Sequence, residues 1–350
     1  MMEFSIPHSR PWIEPPDMLE VANVLEKGMV ASGNGVKSFE KAVNNYLRSA
    51  GAVACSSGTS AITLALKTLA IGTGDEVIVP TYVCSSVLSA VVGSGAKANL
   101  YDVNESGVVT IQSVRRALTS RTKAIVAVHT FGHPCDVESL KKLELPVIED
   151  ACQAFGLKIN GRYAGTLGTF GILSFHATKC LTTGEGGMLL ANELSLLESA
   201  RALLKSTKPN NATGTGAMSD IQAALGSAQL KRYPTFLDRR NSLFESYHSV
   251  VCGLTTAKPA YSGKLPFLFR FTLTTPHKFE EVQKAFLAFG IQSRRGVDEL
   301  LHRRLGQSDK NYTGASKLFD SLISLPFYPS LSELEQNHIL KAIKEVFNYD

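Results

Sequence analysis

The chain has 350 residues, which exceeds the usual single-core domain of roughly 100–200 residues, so we expect one large domain and a smaller one. Hydrophobic residues make up 44% and charged residues 19% of the sequence, a balance that excludes a disordered or fibrous protein. The formal net charge is only +5 and both signs are interspersed, so nucleic-acid binding is not expected.

The sequence carries no signal for a membrane or for secretion. No segment reaches the roughly 20 apolar residues of a membrane span, and the N-terminus lacks a basic stretch followed by an apolar run. The six cysteines are scattered, without a C-x-x-C pair or histidines at zinc spacing, which indicates reduced thiols. We therefore expect a cytoplasmic protein without a metal site.

Between residues 50 and 190, short β-branched runs alternate with helical patterns. This alternation predicts an α/β fold of three layers, in which a mostly parallel sheet is covered by helices. Ile62, Leu66 and Leu69 share one face of a predicted helix, and Gly72 then ends it. The predicted strands span residues 52–55, 76–79, 98–103, 124–128, 147–149 and 171–175.

A long helix is predicted over residues 219–251, although Pro234 should kink or interrupt it. The helix is expected to link the two domains. We place the large domain at residues 1–230 and the smaller one at residues 231–350.

The last hundred residues predict an α+β pattern. A strand is expected at residues 267–273, and the next helix starts at Pro276. The final helix begins with a capping box formed by Ser332 and Glu335.

Small polar residues follow the first predicted strand, at its passage into a helix. Gly58 and Thr59 stand in the run Ser-Ser-Gly-Thr-Ser at residues 56–60. Such residues let the free N–H groups of a helix N-terminus approach an anion. Taken alone, the run is equally typical of an ordinary helix cap.

Two acids, Glu149 and Asp150, stand at the carboxyl end of another predicted strand, where open parallel sheets bind their ligands. Strand alternation sends the two carboxylates to opposite faces, so one of them should face a crevice. The alternatives are a solvated strand end or a metal ligand, but no nearby His or third acid completes a metal-binding set.

Lys179 leaves the last predicted strand and enters a glycine-dense loop. Ser174 and His176 precede it, and the run Thr-Thr-Gly-Glu-Gly-Gly follows at residues 182–187. A lysine in such a poorly solvated place can act as a nucleophile, whereas an isolated lysine is usually a surface residue. We interpret His176 as a positioning or packing residue rather than a general base.

Together the three features match pyridoxal 5'-phosphate (PLP), which needs an anchor for its phosphate, a carboxylate for its pyridinium nitrogen and a Schiff-base lysine. A dinucleotide is the rival cofactor. No G-x-G-x-x-G motif follows a predicted strand, because Gly165, Gly168 and Gly171 have a different spacing.

Over nearly its whole length the sequence resembles the DegT/DnrJ/EryC1/StrS aminotransferases. The resemblance implies a fold-type I PLP enzyme that acts on nucleotide-linked keto-sugars. The matching motifs are Ser-Gly-Thr-Ser-Ala at 57–61, Gly-Asp-Glu-Val-Ile-Val-Pro at 74–80, Ile-Glu-Asp-Ala at 148–151, Ser-Phe-His-Ala-Thr-Lys at 174–179, Gly-Glu-Gly-Gly at 184–187, Ile-Gln-Ala-Ala-Leu at 221–225 and Leu-Pro-Phe-Tyr-Pro at 325–329.

The resemblance also implies roles for matching residues. Lys179 would form the Schiff base and shuttle a proton, and Asp150 would keep the pyridine nitrogen protonated. Gln153 stands where the family has a His or Gln near the cofactor's 3-hydroxyl. The phosphate would be held by Gly58, Thr59 and Ser174.

The sequence departs from the family at two places. Cys84 stands where many relatives have an aromatic residue stacked on the pyridine ring. Relatives also have Tyr-Asn before the segment that here reads Met-Ser-Asp at 218–220, and that Asn reaches the partner subunit's phosphate. In this chain Thr215 is the candidate donor for that contact.

The leading functional hypothesis is an aminotransferase that moves an amino group from glutamate to a nucleotide-diphosphate-linked keto-sugar, acting as a homodimer. The alternatives are a PLP-dependent sugar dehydratase, a ring-aromatising relative and a non-catalytic, regulatory PLP-binding protein. Four arginines could contact anionic substrate groups or form a solvated basic face: Arg294, Arg295, Arg303 and Arg304.

Overall fold

The computed structural model describes residues 5–206, 216–261 and 267–347. The helices are α1 (Pro15–Lys27), α2 (Asn34–Leu47), α3 (Gly58–Thr68), α4 (Ser85–Gly93), α5 (Ile111–Ala117), α6 (Val137–Lys141), α7 (Leu194–Lys205), α8 (Asp220–Val251), α9 (Phe279–Ala288), α10 (Leu301–Arg304), α11 (Thr313–Ser321) and α12 (Glu333–Phe347). The strands are β1 (Gly51–Cys55), β2 (Glu76–Pro80), β3 (Lys97–Tyr101), β4 (Thr122–Val128), β5 (Val147–Asp150), β6 (Lys158–Ile159), β7 (Arg162–Tyr163), β8 (Phe170–Ser174), β9 (Gly187–Ala191), β10 (Lys258–Pro259), β11 (Phe271–Thr274) and β12 (Leu322–Leu325).

The central sheet of the described residues has seven strands in the order β1-β9-β8-β5-β4-β2-β3. Strand β9 runs antiparallel to both of its neighbours, and the remaining pairs are parallel. The mostly parallel α/β sheet is therefore confirmed, and all six predicted strands are present with ends shifted by one or two residues. The sequence interpretation missed β9, a short apolar run directly after the glycine-rich loop.

Side chains of the sheet alternate between two hydrophobic clusters. In β1, Val53 and Cys55 belong to a cluster shared with α3, α4, α5, α6 and α7, whereas Ala52 and Ala54 belong to one shared with α2 and α8. Successive residues of a strand point to opposite faces, so the two clusters lie on opposite sides of the sheet. This arrangement confirms the three layers.

The C-terminal part contains a separate antiparallel sheet in the order β10-β11-β12. Its strands share a third hydrophobic cluster with α9, α12 and the second half of α8. The predicted strand at 267–273 is shorter and lies at Phe271–Thr274, and the helix predicted from Pro276 begins at Phe279. The predicted capping box is present, because Ser332 and Glu335 exchange hydrogen bonds between their side chains and backbone N–H groups.

Helix α8 continues through Pro234 without a break, so the predicted interruption is wrong. Proline removes one backbone hydrogen bond from a helix interior. Here its neighbours Tyr233 and Phe236 are buried in the cluster that α8 shares with the sheet, and this packing holds the helix together. Helix α8 continues through residue 230 without a break and so spans the predicted boundary between residues 1–230 and 231–350. That division into two domains stays a prediction.

All six cysteines are free thiols. Among the described residues, every helix falls short of the combined length and hydrophobicity that a bilayer span needs. The cytoplasmic location stays a prediction.

The carboxylate of Asp220 joins the first turns of α8 and α2. It accepts the backbone N–H groups of Gly33 at 2.8 Å, Gly35 at 3.0 Å and Val36 at 2.9 Å. The first N–H groups of a helix have no acceptor within the helix, so a carboxylate at this position satisfies them and favours the positive end of the helix dipole. Asp220 thereby fixes α2 against α8.

We expect Asp220→Ala to lower the free energy of unfolding by about 1–3 kcal/mol, because buried N–H groups lose their acceptor. Urea unfolding of the full chain, followed by circular dichroism, measures the change. Asp238→Ala is the control, since Asp238 lies exposed on the same helix and should change stability by no more than about 0.5 kcal/mol. Equal stability of the two variants would contradict this role for Asp220.

Candidate active site

Several predicted site residues meet at one edge of the central sheet. Strands β1, β8 and β5 run in the same direction, because β9 is antiparallel to both β1 and β8 while β8 is parallel to β5. Their carboxyl ends carry Gly58, Ser174 and Asp150, respectively. Open α/β sheets bind ligands at this edge.

The turn between β1 and α3 forms a cradle of small residues. The Ser57 hydroxyl caps the helix by accepting the N–H of Ser60 at 3.0 Å. A Cβ atom on Gly58 would lie 3.0 Å from Cβ of Ser174 and 3.2 Å from Sγ of Cys152, so glycine is needed for this close approach. The N–H groups of the first turn, including that of Thr59, are free of intrahelical acceptors and suit an anion.

Glu149 is fully buried and has a structural role. Its carboxylate accepts a hydrogen bond from Nε2 of His129 at 2.8 Å. It also accepts hydrogen bonds from the backbone N–H groups of Gly165, Leu167 and Gly168 at 2.7–2.8 Å. Burial alone would raise the pKa of Glu149, but these hydrogen bonds hold it below its ordinary value. The acceptor capacity of Glu149 is therefore used within the protein, on the side of β5 opposite to Asp150.

His129 was not identified by the sequence interpretation. Its Nδ1 accepts the N–H of Cys135 at 2.9 Å, so the ring proton resides on Nε2 and is donated to Glu149. A single histidine far along the chain from its acid gives no sequence signal of this pairing.

Asp150 is buried at the end of β5, beside Cys152. One of its oxygens accepts the N–H of Cys152 at 2.9 Å, and an ionised carboxylate keeps capacity for a further donor. Burial and the charge of Asp150 raise the pKa of the Cys152 thiol, while Lys179 opposes this shift. Asp150 and Lys179 therefore both lie within electrostatic range of Cys152.

Lys179 lies half-buried in the turn that follows β8. The backbone N–H of Lys179 donates to the backbone carbonyl of His176 at 2.8 Å, and the side-chain Nζ lies 5.1 Å from the ring centroid of Phe269. The loop is held because both Thr182 and Thr183 donate to the carbonyl of Phe175.

Both ring nitrogens of His176 contact residues that are close to it along the chain. Its Nδ1 hydrogen-bonds the Thr178 hydroxyl at 2.8 Å, and its Nε2 lies 3.5 Å from a carboxylate oxygen of Glu185. The positioning role inferred for His176 from the sequence stays a prediction.

Gln153 and Cys84 lie on two other connections. Oε1 of Gln153 accepts a hydrogen bond from the backbone N–H of Phe131 at 2.7 Å. The side-chain amide nitrogen of Gln153 can therefore donate to a different group. Cys84 is exposed at the start of α4, and it acts electrostatically on both Cys152 and Arg270. Cys84 therefore lies near the other site residues.

Thr215 lies outside the described residues, so its predicted phosphate contact stays a prediction. The chain continues from Gly216, whose carbonyl accepts the N–H of Ser56 at 2.8 Å. The segment that leads into α8 thus passes beside the cradle.

Of the four arginines considered from the sequence, Arg294 alone lines the cavity next to Lys179. Arg295 pairs with Glu280, and Arg303 and Arg304 pair with Asp309 and Glu299. The cavity also includes basic residues that the sequence interpretation missed, because they are distant from Lys179 along the chain: His8, Arg10, Arg240 and Arg270.

The DegT/DnrJ/EryC1/StrS aminotransferase family model matches residues 12–344. The chain belongs to this family. Curated relatives include GDP-perosamine synthase of Escherichia coli O157:H7, with 31% identity over 98% of this chain and 99% of the relative, and the spore coat polysaccharide biosynthesis protein SpsC of Bacillus subtilis (strain 168), with 29% identity over 97% of each. Among solved structures, the PLP form of Spr1654 from Streptococcus pneumoniae superposes with a TM-score of 0.90, at 26% identity over 98% of each chain.

As a member of the DegT/DnrJ/EryC1/StrS family, the protein is a PLP-dependent aminotransferase of fold-type I. The residues at the sheet edge fit the cofactor. The cradle left open at Gly58 suits a phosphate, Asp150 suits a pyridinium N–H, and Lys179 supplies the amine. The individual contacts of Gly58, Thr59, Cys84, Asp150, Gln153, Ser174 and Lys179 with PLP stay predictions.

Cys84 provides a test of cofactor packing. We expect Cys84→Ala to weaken PLP binding only slightly, because the phosphate anchor, the pyridinium partner and Lys179 remain. Cys84→Phe should tighten binding by about 0.5–1.5 kcal/mol, since Cys84 is exposed and an aromatic ring could lie on the pyridine. PLP titration followed by absorbance measures both changes.

Cys252→Phe is the matched control, because Cys252 is also an exposed cysteine but lies at the end of α8. It should leave PLP binding unchanged. Loss of turnover in Cys84→Ala with PLP still bound would show that the thiol has a chemical role and that ring packing is the wrong interpretation.

Proposed function

We propose that the protein transfers an amino group from glutamate to a keto-sugar linked to a nucleotide diphosphate. The observation that carries this proposal is that Asp150 and Lys179 both lie within electrostatic range of Cys152, at the sheet edge that also holds the Gly58 cradle. The relative named GDP-perosamine synthase, whose match covers 98% of this chain, supports a nucleotide-sugar substrate.

PLP, when bound, supplies a ring that accepts the electrons of the bond broken at the substrate carbon. The proposed tasks of the protein are to hold that ring and to move protons. The first N–H groups of α3 and the Ser174 hydroxyl bind the phosphate. Asp150 keeps a proton on the ring nitrogen, because a buried carboxylate next to a cation favours the charged pair.

Lys179 has two proposed tasks. Its amine would hold the cofactor when PLP is bound, and it would accept or donate a proton at the substrate carbon. The half-buried position against Phe269 limits the water around Nζ, which favours both tasks. The short hydrogen-bonded turn from His176 to Lys179 keeps the amine near Cys152 and Asp150.

Mixing the purified PLP enzyme with glutamate tests the proposal. We expect conversion to the PMP form and stoichiometric 2-oxoglutarate, followed by recovery of the PLP form with one member of a panel of nucleotide keto-sugars. Lys179→Ala and Asp150→Asn should each lose at least about 10²-fold in rate, because each removes a proton-transfer or proton-holding group.

Lys123→Ala is the control, because Lys123 is an exposed lysine on β4. A near wild-type rate in Lys179→Ala would contradict the assignment of the amine. If sugar products formed without an amino group, the reaction would instead be a dehydration.

We also propose that the protein is a homodimer, as the family resemblance implies. Helix α1 supports this, because Met18 and Leu25 lie two turns apart on one face and are 57% and 55% exposed. Met29, just beyond the helix, is 75% exposed. Several large apolar side chains exposed on one short segment are typical of a protein interface.

Light scattering should give the mass of two chains for the wild type. The double variant Met18→Glu/Leu25→Glu should give a monomer with unchanged circular dichroism, because two buried charges oppose association. Leu334→Glu, at an exposed leucine on α12, should remain dimeric. A fully active wild-type monomer would contradict the proposal.

A further inference from the structure

The cavity next to Lys179 is lined by basic residues without an acid. Its described lining contains neither Asp nor Glu, and its five cationic side chains are well separated along the chain: Arg10, Lys179, Arg240, Arg270 and Arg294. A cleft lined by charges of one sign raises the local concentration of ligands of the opposite sign. The cavity therefore favours an anionic ligand.

Two of the arginines have partners in the protein. Arg10 pairs with Glu335 at 2.8 Å. Arg240 is buried and donates to the carbonyls of Leu268, Phe269 and Phe327. The guanidinium groups of Arg10 and Arg240 therefore have hydrogen-bond partners without a ligand.

His8 does not add a charge to the cavity. Burial and the neighbouring Arg270 and Arg294 lower its pKa to about 3, so the ring is neutral at physiological pH. Its Nε2 shares a hydrogen bond of 2.9 Å with the hydroxyl of Ser324.

Arg270 is held in place but keeps unused hydrogen-bonding capacity. Its Nη1 donates to the carbonyls of Arg295 at 3.2 Å and Gly296 at 3.0 Å. Within the described ranges, no carboxylate lies at ion-pair distance from Arg270 or Arg294, and Asp298 acts on Arg270 only from farther away. A guanidinium has five N–H donors, so the group can still bind an anion through two of them.

Arg270 lies close to the reactive amine. The ring of Phe269 is common to both groups, because Nζ of Lys179 lies 5.1 Å and Cζ of Arg270 5.7 Å from its centroid. Arg270 has a second aromatic contact, because its Cζ also lies 5.7 Å from the ring centroid of Phe131. Both cations therefore lie within contact range of one aromatic side chain and line the same cavity.

We propose that Arg270, assisted by Arg294, binds a carboxylate of the amino donor. The inference rests on the proposed transamination. The donor's carboxylates lie a few bonds from the amine that is exchanged at Lys179, whereas the sugar ring separates the diphosphate of a nucleotide sugar from its keto carbon. The planar guanidinium fork also matches a carboxylate, and its restrained geometry discriminates between donors.

Binding of glutarate to the PLP enzyme tests the inference without turnover, because glutarate carries two carboxylates and no amine. Isothermal titration calorimetry should show an affinity at least about 10-fold weaker for Arg270→Met than for the wild type, since charged hydrogen bonds are lost. Arg270→Lys should lie between them, because a lysine keeps the charge but not the fork. Arg304→Met is the matched control on α10 and should bind glutarate as the wild type does.

Kinetics separate the two substrates. Arg270→Met should raise KM for glutamate by a similar factor and leave KM for the keto-sugar unchanged. If the variant folds poorly, Arg294→Gln at an exposed position should show the same split with a smaller factor. A raised KM for the keto-sugar alone would overturn the inference in favour of a phosphate contact.

The two proposals fail in different ways. If glutamate does not convert the wild-type enzyme to the PMP form, the proposed donor is wrong whatever Arg270 does. If glutamate converts the wild type but glutarate binds the wild type and Arg270→Met equally, or binds neither, the role of Arg270 is wrong and the proposed function stands.

Discussion

The buried carboxylate of Glu149 is the constraint on which the active-site edge depends. Removing an ionised group from water is costly, and here four hydrogen bonds from His129 and three backbone N–H groups offset that cost. They hold the loop at residues 165–168 against β5. Because consecutive strand residues point to opposite faces, anchoring Glu149 also determines the direction of Asp150.

On the opposite face of β5, Asp150 is one of several charged residues near the amine of Lys179. Asp150 and Lys179 both act electrostatically on Cys152, and Lys179 also lines the cavity that contains Arg270 and Arg294. An electron-accepting ring needs a proton at its nitrogen, while an amino acid needs a cation for its carboxylate. Because the described lining of that cavity is basic and lacks an acid, it can orient the carboxylate of a bound amino acid relative to the cofactor.

Local sequence signals predicted the α/β fold and the cofactor well, because strand ends, Gly58 and Lys179 each carry a short pattern. Long-range placement was not predictable. His8, Arg270 and Arg294 meet only after the chain folds, and His129 reaches Glu149 across a neighbouring strand. Strand β9 was missed because an apolar run of five residues fits a helix or a strand.

Helix α8 has a mechanical consequence. Its first half carries Ala223 and Tyr233 in the cluster on the central sheet, and its second half carries Leu243 and Tyr247 in the C-terminal cluster. Because α8 is one continuous helix, the Asp220 contact with α2 and the packing of the C-terminal sheet depend on the same element. The cluster on the central sheet and the C-terminal cluster are therefore connected through α8. We expect that a loss of packing in either cluster destabilises the other.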